Sequence, residues 1–579
     1  MGSQRSWQRL DLRCKQRGRY LIIFLFLALP LSATTYYVDN CVVGGNDSNN
    51  GTSTSTPWLT IAHVNAQSFN PGDSILFQGG CVWREALAIS PSGSTGRSAG
   101  SGITVGSYGS GQPIIDGSDI YSSGWTNTSG NIWQHALNPP YAAHIWVFFN
   151  GVAGGPNGGN PMASRGAIVS SNQWFWDGTS TLYVFSTSNP ATAFTSPGIE
   201  VTTRVGVQAS NQSYVTFNNL NVRKTSQSCF DLYQLSHGTV SNTTTAYCGK
   251  NNIVFYNSTP GLSDNCVIAN NIGTYASESG IAIKDTNNCV AYGNNISHAG
   301  IQLDDEDNIG IVGNSGSNYI YNNYAHDSTD QTGSIGIRCF ELDTITSPKI
   351  NYLYDNFAAR CNGTGIIVEH SANQQVYYNI SIDNAHGVGG DCCVAGFKDS
   401  VGNSNIYYGN TTYNNEFTEM EVTSNTTSGP IIKNNIFYAS SGGQGAVFTN
   451  GATGTSPVMD YNLVFGNSVA YNWSGTSYAT PALFYAASGQ CQHDLNSDPK
   501  FTNAAASNFS LQSGSPAIDT GTNLGSTYQF GLAPGSSWPS AVSTLNQNGG
   551  GAGWEIGAFV FVQTIPSPAA PTGLSATVN

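Results

Sequence analysis

The chain has 579 residues, of which only 9% are charged, with 67 glycines and a formal net charge of -14. Globular domains carry about 25% charged residues and about 7% glycine, so this chain is poor in charge and rich in turn-forming residues. Its 39% hydrophobic and 11% aromatic content excludes a disordered chain, and the acidic balance with few Lys and Arg argues against nucleic acid or an anionic membrane as partner.

Residues 1–33 read as a signal peptide. Arg5, Arg9, Arg13, Lys15, Arg17 and Arg19 precede an apolar run from Leu21 to Leu31, and Ser32-Ala33 supplies the small residues of a cleavage site. That run is shorter than the roughly 20 residues that span a bilayer, so no stable membrane insertion is expected. The expected location is secreted, extracellular or periplasmic. Cleavage would leave 14 basic and 33 acidic residues, a net of -19. It would also leave eleven cysteines without metal-type spacing. An oxidising compartment allows disulfides, with Cys41–Cys81 and Cys266–Cys289 as candidates, and the odd count leaves at least one thiol unpaired.

Residues 34–120 are assigned to an N-terminal cap and first coils. Residues 121–200 hold Trp125, Trp133, Trp146, Trp174 and Trp176, and Leu182–Ser186 reads as a strand. This segment is expected to be a β-rich insertion whose Trp residues pack its own core rather than stack sugars.

Residues 201–490 carry an internal repeat. Val267-Ile-Ala-Asn-Asn271, Val290-Ala-Tyr-Gly-Asn-Asn295, Tyr319-Ile-Tyr-Asn-Asn323 and Tyr352-Leu-Tyr-Asp-Asn356 are copies of one unit, whose last Asn recurs at 379, 410, 435 and 462. Short strands and Gly/Asn turns at this period, one coil per repeat, predict an all-β parallel solenoid. The recurring Asn is expected to form an internal ladder, each amide donating to the Asn one coil away, about 4.8 Å off. Asn were also expected to suit left-handed turn positions. On this reading the sequons Asn295-Ile-Ser and Asn379-Ile-Ser are buried in the ladder.

Two sets of end motifs accompany the repeat. Tyr36-Tyr-Val-Asp-Asn40, Pro57-Trp-Leu-Thr-Ile61 and Pro71-Gly-Asp73 stand at the front; Asp498-Pro-Lys-Phe501, Gly514-Ser-Pro-Ala-Ile-Asp-Thr-Gly521 and Glu555-Ile-Gly-Ala-Phe559 stand at the back. These resemble the cap and the closing segment, here 491–562, of secreted right-handed parallel β-helix proteins of the pectate-lyase-like superfamily. The resemblance implies that fold and a polysaccharide substrate. Residues 563–579 read as a Pro/Ala/Ser linker followed by a segment that resembles the first strand of a fibronectin type III module.

Against so little charge, one strand per coil stands out: each begins after a Gly and ends in charge. The copies are Gly280–Asp285, Gly300–Asp305, Gly336–Glu341, Gly365–His370 and Gly396–Asp399, followed by Glu419 and Glu421 around Met420. Alternation would bury the aliphatic residues and turn Lys284, Asp304, Glu369 and Lys398 outward, stacking them into a continuous charged strip. Asp304 and Glu369, two coils apart, would suit an inverting carboxylate pair, with Asp305 and Glu341 in support. Lys284, Arg338, His370 and Lys398 would bind substrate. His298 and His326 form a second column, read as turn packing.

The favoured activity is therefore glycoside hydrolysis by a monomer, with no cofactor required. An alternative is a uronate lyase with a Lys or Arg base and calcium at Asp304, Asp305 and Asp307. A further alternative is a non-catalytic surface or adhesion protein. Asp304-Asp305 resembles the polygalacturonase pattern, whose Gly-His-Gly and Arg-x-Lys motifs are absent.

Overall fold

A computed structural model describes residues 33–89, 100–139, 144–258, 264–302, 306–328, 334–340, 349–385, 394–423, 428–439, 445–450, 457–466 and 468–563. Residues 1–32, which hold all but the last residue of the expected signal peptide, and Asp304, Asp305, Glu341, Cys392, Cys393 and the tail after 563 lie outside these residues.

Most described residues wind into coils that each contribute one short strand to three sheets of 13, 12 and 13 strands, parallel except for the last strand of the third, Thr476–Tyr478. In successive coils the first sheet takes Val290–Tyr292, Tyr319–Tyr321 and Tyr352–Tyr354, and the second takes Asn295–Ser297, Tyr324–His326 and Phe357–Ala359. The third takes Ile281–Lys284, Asp307–Val312, Ile335–Phe340, Ile366–Glu369, Ala395–Ser400 and Thr418–Thr423. The architecture is a parallel β-helix.

Side chains alternate across each strand, so every sheet turns one row inward. In the third sheet the inward row runs Ile253, Ile281, Ile309, Ile337, Ile366, Phe397, Met420 and Val447, all in register and buried. Each such side chain contributes about 1.5–3 kcal/mol of transfer free energy.

Amide ladders fill the corners. Between the first and second sheets, Asn271, Asn294, Asn323, Asn356, Asn379, Asn410 and Asn435 each donate Nδ2–H to the Oδ1 of the next, the last acceptor being Asn462, at 2.9–3.1 Å. The ladder residue is Asn294 and not Asn295, which lies one position later on a second-sheet strand, half-buried, and accepts from His326 Nε2 at 2.7 Å. The left-handed positions are the residues just before the ladder, such as Asn270, Asn322 and Asp355, rather than the ladder Asn themselves. A second ladder, between the third and first sheets, links Asn318, Asn351, Gln374 and Asn405. A third, between the second and third sheets, links Asn384 and Asn415.

A buried acid terminates each ladder. Asn405 Nδ2 donates to Asp399 at 2.8 Å, Asn415 Nδ2 to Glu419 at 2.6 Å, and the Asn462 backbone N–H to Asp494 at 2.9 Å. Glu419, expected on the outer strip, is thus an internal group. Burial pushes Glu419 up to about 8 and Asp399 and Asp494 up to about 6. A carboxyl raised in the folded state stabilises the fold fully below its unfolded value near 4 and loses that contribution as pH climbs through the folded value. The melting temperature should therefore fall on going from about pH 5 to about pH 9. Glu419→Gln should remove the upper part of that fall; a melting temperature that rises over this range would contradict the assignment.

Disulfides join Cys41–Cys81 and Cys266–Cys289 as expected, and a third joins Cys229–Cys248. Cys339, Cys361 and Cys491 are free and buried. The insertion forms two four-stranded sheets around Trp125, Trp174, Leu182, Val184 and Val201. Arg84 ties it to the coils through Asp116 at 3.2 Å and Glu200 at 2.7 Å, with Lys224 also on Glu200 at 2.5 Å. The closing segment packs Phe501, Phe509, Leu532 and Phe559 against Phe357, Ile380, Ile436 and Leu463, which point outward from the second sheet. Among the described residues no helix is long and apolar enough to cross a membrane.

Candidate active site

With the second sheet partly covered, charge gathers on the outer face of the third. Its register defines two outward rows. One runs Asp231, Val254, Ala282, Gly310, Arg338, Ile367, Lys398 and Glu421; the other runs Tyr256, Lys284, Val312, Phe340, Glu369 and Ser400. The strip is therefore interrupted by apolar residues rather than continuous.

The interruption has a definite cause. The segment from Gly300, expected to be a strand, is replaced in the sheet by Asp307–Val312. Ile301 leaves the stack to pack against Trp146 and Phe148 of the insertion. Gln302 then donates to the Ile145 and Gly159 carbonyls at 3.2 and 3.0 Å. Tertiary packing has overridden a strand-like pattern. Of the proposed Asp304–Glu369 and Asp305–Glu341 pairs, Asp304, Asp305 and Glu341 lie outside the described residues.

The described candidates divide by exposure. Arg338 and Lys398 are only 5% and 6% exposed. Arg338 donates to Glu369 at 2.8 Å, approaches Asp307 at 3.9 Å and lies 4.0 Å over the Phe340 ring. Lys398 pairs with Glu421 at 2.9 Å. Both cations thus hold protein carboxylates in place beneath the surface. Lys284 and His370 are exposed, the latter edge-on to Phe340 with ring centroids 6.2 Å apart. Gly310 makes room for this arrangement, since a Cβ there would stand 2.6 Å from Asp307 Oδ2.

Glu306 follows Asp304 and Asp305 in the chain. It is half-buried beside the sheet and accepts from Ser279 Oγ at 2.7 Å. Burial raises its carboxyl above the usual range and the nearby Glu278 charge adds to this, while Ser279, Lys284 and Arg338 pull the other way. Glu278 itself pairs with Lys250 at 3.7 Å. Both act electrostatically on His144 of the insertion, whose imidazole burial holds below its ordinary value. No single stretch of sequence signals this cluster, because Lys250, Glu278, Glu306 and His144 come from four separate segments.

His298 stacks on Tyr275 with centroids 4.6 Å apart, whereas His326 is aligned with Ser297 and bonds Asp327 and Asn295. They do not form one column. As a calcium ligand Asp307 fits poorly, since its buried carboxylate faces the Arg338 guanidinium. Among the described residues the one metal-like grouping is Asp39 with Cys41 and Cys81, and both sulfurs are in a disulfide.

Comparisons with known proteins accord with the fold. Residues 205–346 match the family model described as a right handed beta helix region. The chain is a right-handed parallel β-helix, the hand expected of parallel crossovers. A stretch of 111 residues, 18% of this chain, is 34% identical to a lacto-N-biosidase of Bifidobacterium longum subsp. longum and covers 7% of that protein. Among solved structures, the complex of XylC with xylose is similar at 14% identity over 76% of each chain, with a TM-score of 0.46. The GH136 lacto-N-biosidase from Eubacterium ramulus is similar at 13% identity over 75% of this chain and 64% of that one, with a TM-score of 0.39. Pectate lyase Pel9A is similar at 13% identity over 92% and 98%, with a TM-score of 0.38.

Proposed function

We propose that the protein is a secreted polysaccharide-degrading enzyme that hydrolyses glycosidic bonds on the outer face of the third sheet. The observation that carries this reading is Glu306, a half-buried carboxyl raised by burial and held at the edge of an otherwise ion-paired cluster. A carboxyl raised in this way holds its proton to higher pH than a free one and can donate it to a leaving glycosidic oxygen. Asp304 and Asp305, next to it in the chain, are proposed as the carboxylates that activate water and stabilise the developing positive charge on the sugar ring. Arg338, between Glu369 and Asp307, is a positioning residue in this scheme; Lys284 and His370 face the substrate. The stretch resembling a lacto-N-biosidase supports glycoside cleavage as the reaction class.

Incubation with a panel of neutral and acidic polysaccharides, with products followed in two ways, tests the proposal. New reducing ends without the ultraviolet absorbance of an unsaturated sugar are expected, and activity should survive chelation. Unsaturated products lost on chelation would assign a lyase instead. Failure to cleave any substrate would favour a binding protein.

A further inference from the structure

We propose that the cavity between the insertion and the coils is a subsite for one neutral sugar ring, held by the indole of Trp176; the proposal rests on the polysaccharide reading above. The cavity measures about 260 Å³ and is lined by His144, Asn160, Pro161, Trp174, Trp176 and Gln302, with Ile145. Pockets for drug-sized ligands run to roughly 300–1,000 Å³, so this one suits a single ring rather than an oligomer.

Its wall is built for a polar but uncharged guest. Among the described residues no Asp, Glu, Lys or Arg lines it. Burial holds the His144 imidazole below its ordinary value, which favours its uncharged form. Trp174 Nε1 already donates to the Gly154 carbonyl at 3.0 Å, and the Gln302 amide is fixed by Ile145, Gly159 and Ser277. Trp176 Nε1, by contrast, is buried without an acceptor among the described residues. A buried donor left unmade is costly, and a small turn of the half-buried indole would bring it to a sugar hydroxyl beside the apolar ring face. A uronate carboxylate would instead be desolvated there with no cation to meet it.

Location adds to the case. Gln302 lies two residues before Asp304 in the chain, and His144 feels the charges of Glu278 and Lys250 at the edge of the Glu306 cluster.

Calorimetric titration of the full chain with neutral and uronate oligosaccharides tests this, using wild type, Glu306→Gln, Trp176→Phe and Trp176→Ala. Thermal melts would confirm that the variants fold. A neutral oligosaccharide should bind wild type and Glu306→Gln alike. Trp176→Phe, which keeps a ring and loses the N–H, should weaken binding about tenfold, and Trp176→Ala further. Wild-type affinity in both Trp176 variants, with cleavage intact, would overturn the subsite and leave the hydrolase reading standing. Preference for uronates would also overturn it. Trp176-dependent binding without cleavage of any substrate would keep the subsite and remove the hydrolase. No binding and no cleavage would remove both.

Discussion

Glu306→Gln should lower the rate of polysaccharide cleavage by about 10²–10⁴-fold, the usual contribution of general acid–base catalysis. The substitution preserves shape and the hydrogen bond with Ser279 Oγ, since the amide oxygen can still accept it. What it removes is the proton. A general acid must be protonated to act, so wild-type activity should fall as pH rises through the raised Glu306 value, and the variant should lose that alkaline dependence. Substrates with a good leaving group need less proton assistance and should suffer less. An undiminished rate with an unchanged pH profile would move the acid role elsewhere, with Glu278 the next carboxyl to test.

Asn356→Ala should destabilise the fold by about 3–5 kcal/mol, at the upper end for a single substitution. Asn356 is fully buried at the middle of the long ladder. Its Oδ1 accepts from the Asn323 backbone N–H at 3.1 Å and side chain at 3.0 Å, and its Nδ2 donates to the Ile320 carbonyl at 2.8 Å and to Asn379 Oδ1 at 3.0 Å. Alanine leaves the two donors and the Ile320 carbonyl unsatisfied, each costing about 1–3 kcal/mol in part offset by relaxation, and opens a cavity. Asn295→Ala is the control. That residue is half-buried with a side-chain contact to His326, so its loss should be about 1 kcal/mol or less. Urea unfolding midpoints compare the two directly. Equal shifts would mean the ladder contributes little beyond an ordinary surface contact.

The sequence exposed the coils well because their signal is local and repeated. Hydrophobic alternation and a turn Asn recur in every copy, and both belong to backbone geometry that neighbouring coils share. The off-by-one reading at Asn295 arose where Gly293-Asn294-Asn295 offers consecutive turn-compatible residues; the structure puts Gly293 in the left-handed position and the ladder on Asn294. The misplaced strand at Gly300 had the right local pattern and the wrong partner, since Ile301 found Trp146 and Phe148 more than a hundred residues earlier in the chain. Long-range burial also hid Glu306, whose environment is assembled by Ser279, Lys284 and Arg338 on neighbouring coils. Trp125 and Trp174 sit in the insertion's own core as expected, whereas Trp146 packs against Ile301, Tyr247 and Tyr275 of the coils and Trp176 lines the cavity half-buried.

Successive rungs of the long ladder are 23, 29, 33, 23, 31, 25 and 27 residues apart, yet the strands stay in register throughout. The corner between the first and second sheets keeps a constant two residues, as in Gly293-Asn294, Asn322-Asn323 and Asp355-Asn356. Most of the variation in length is therefore taken up by the connections on either side of the third sheet. Doubling such a connection costs only about 0.6 kcal/mol in closure entropy. The rims of the charged face can thus lengthen, shorten or change composition almost independently of the scaffold beneath them. Substrate preference can drift by loop replacement here while the coil count, the ladders and the folding core stay fixed.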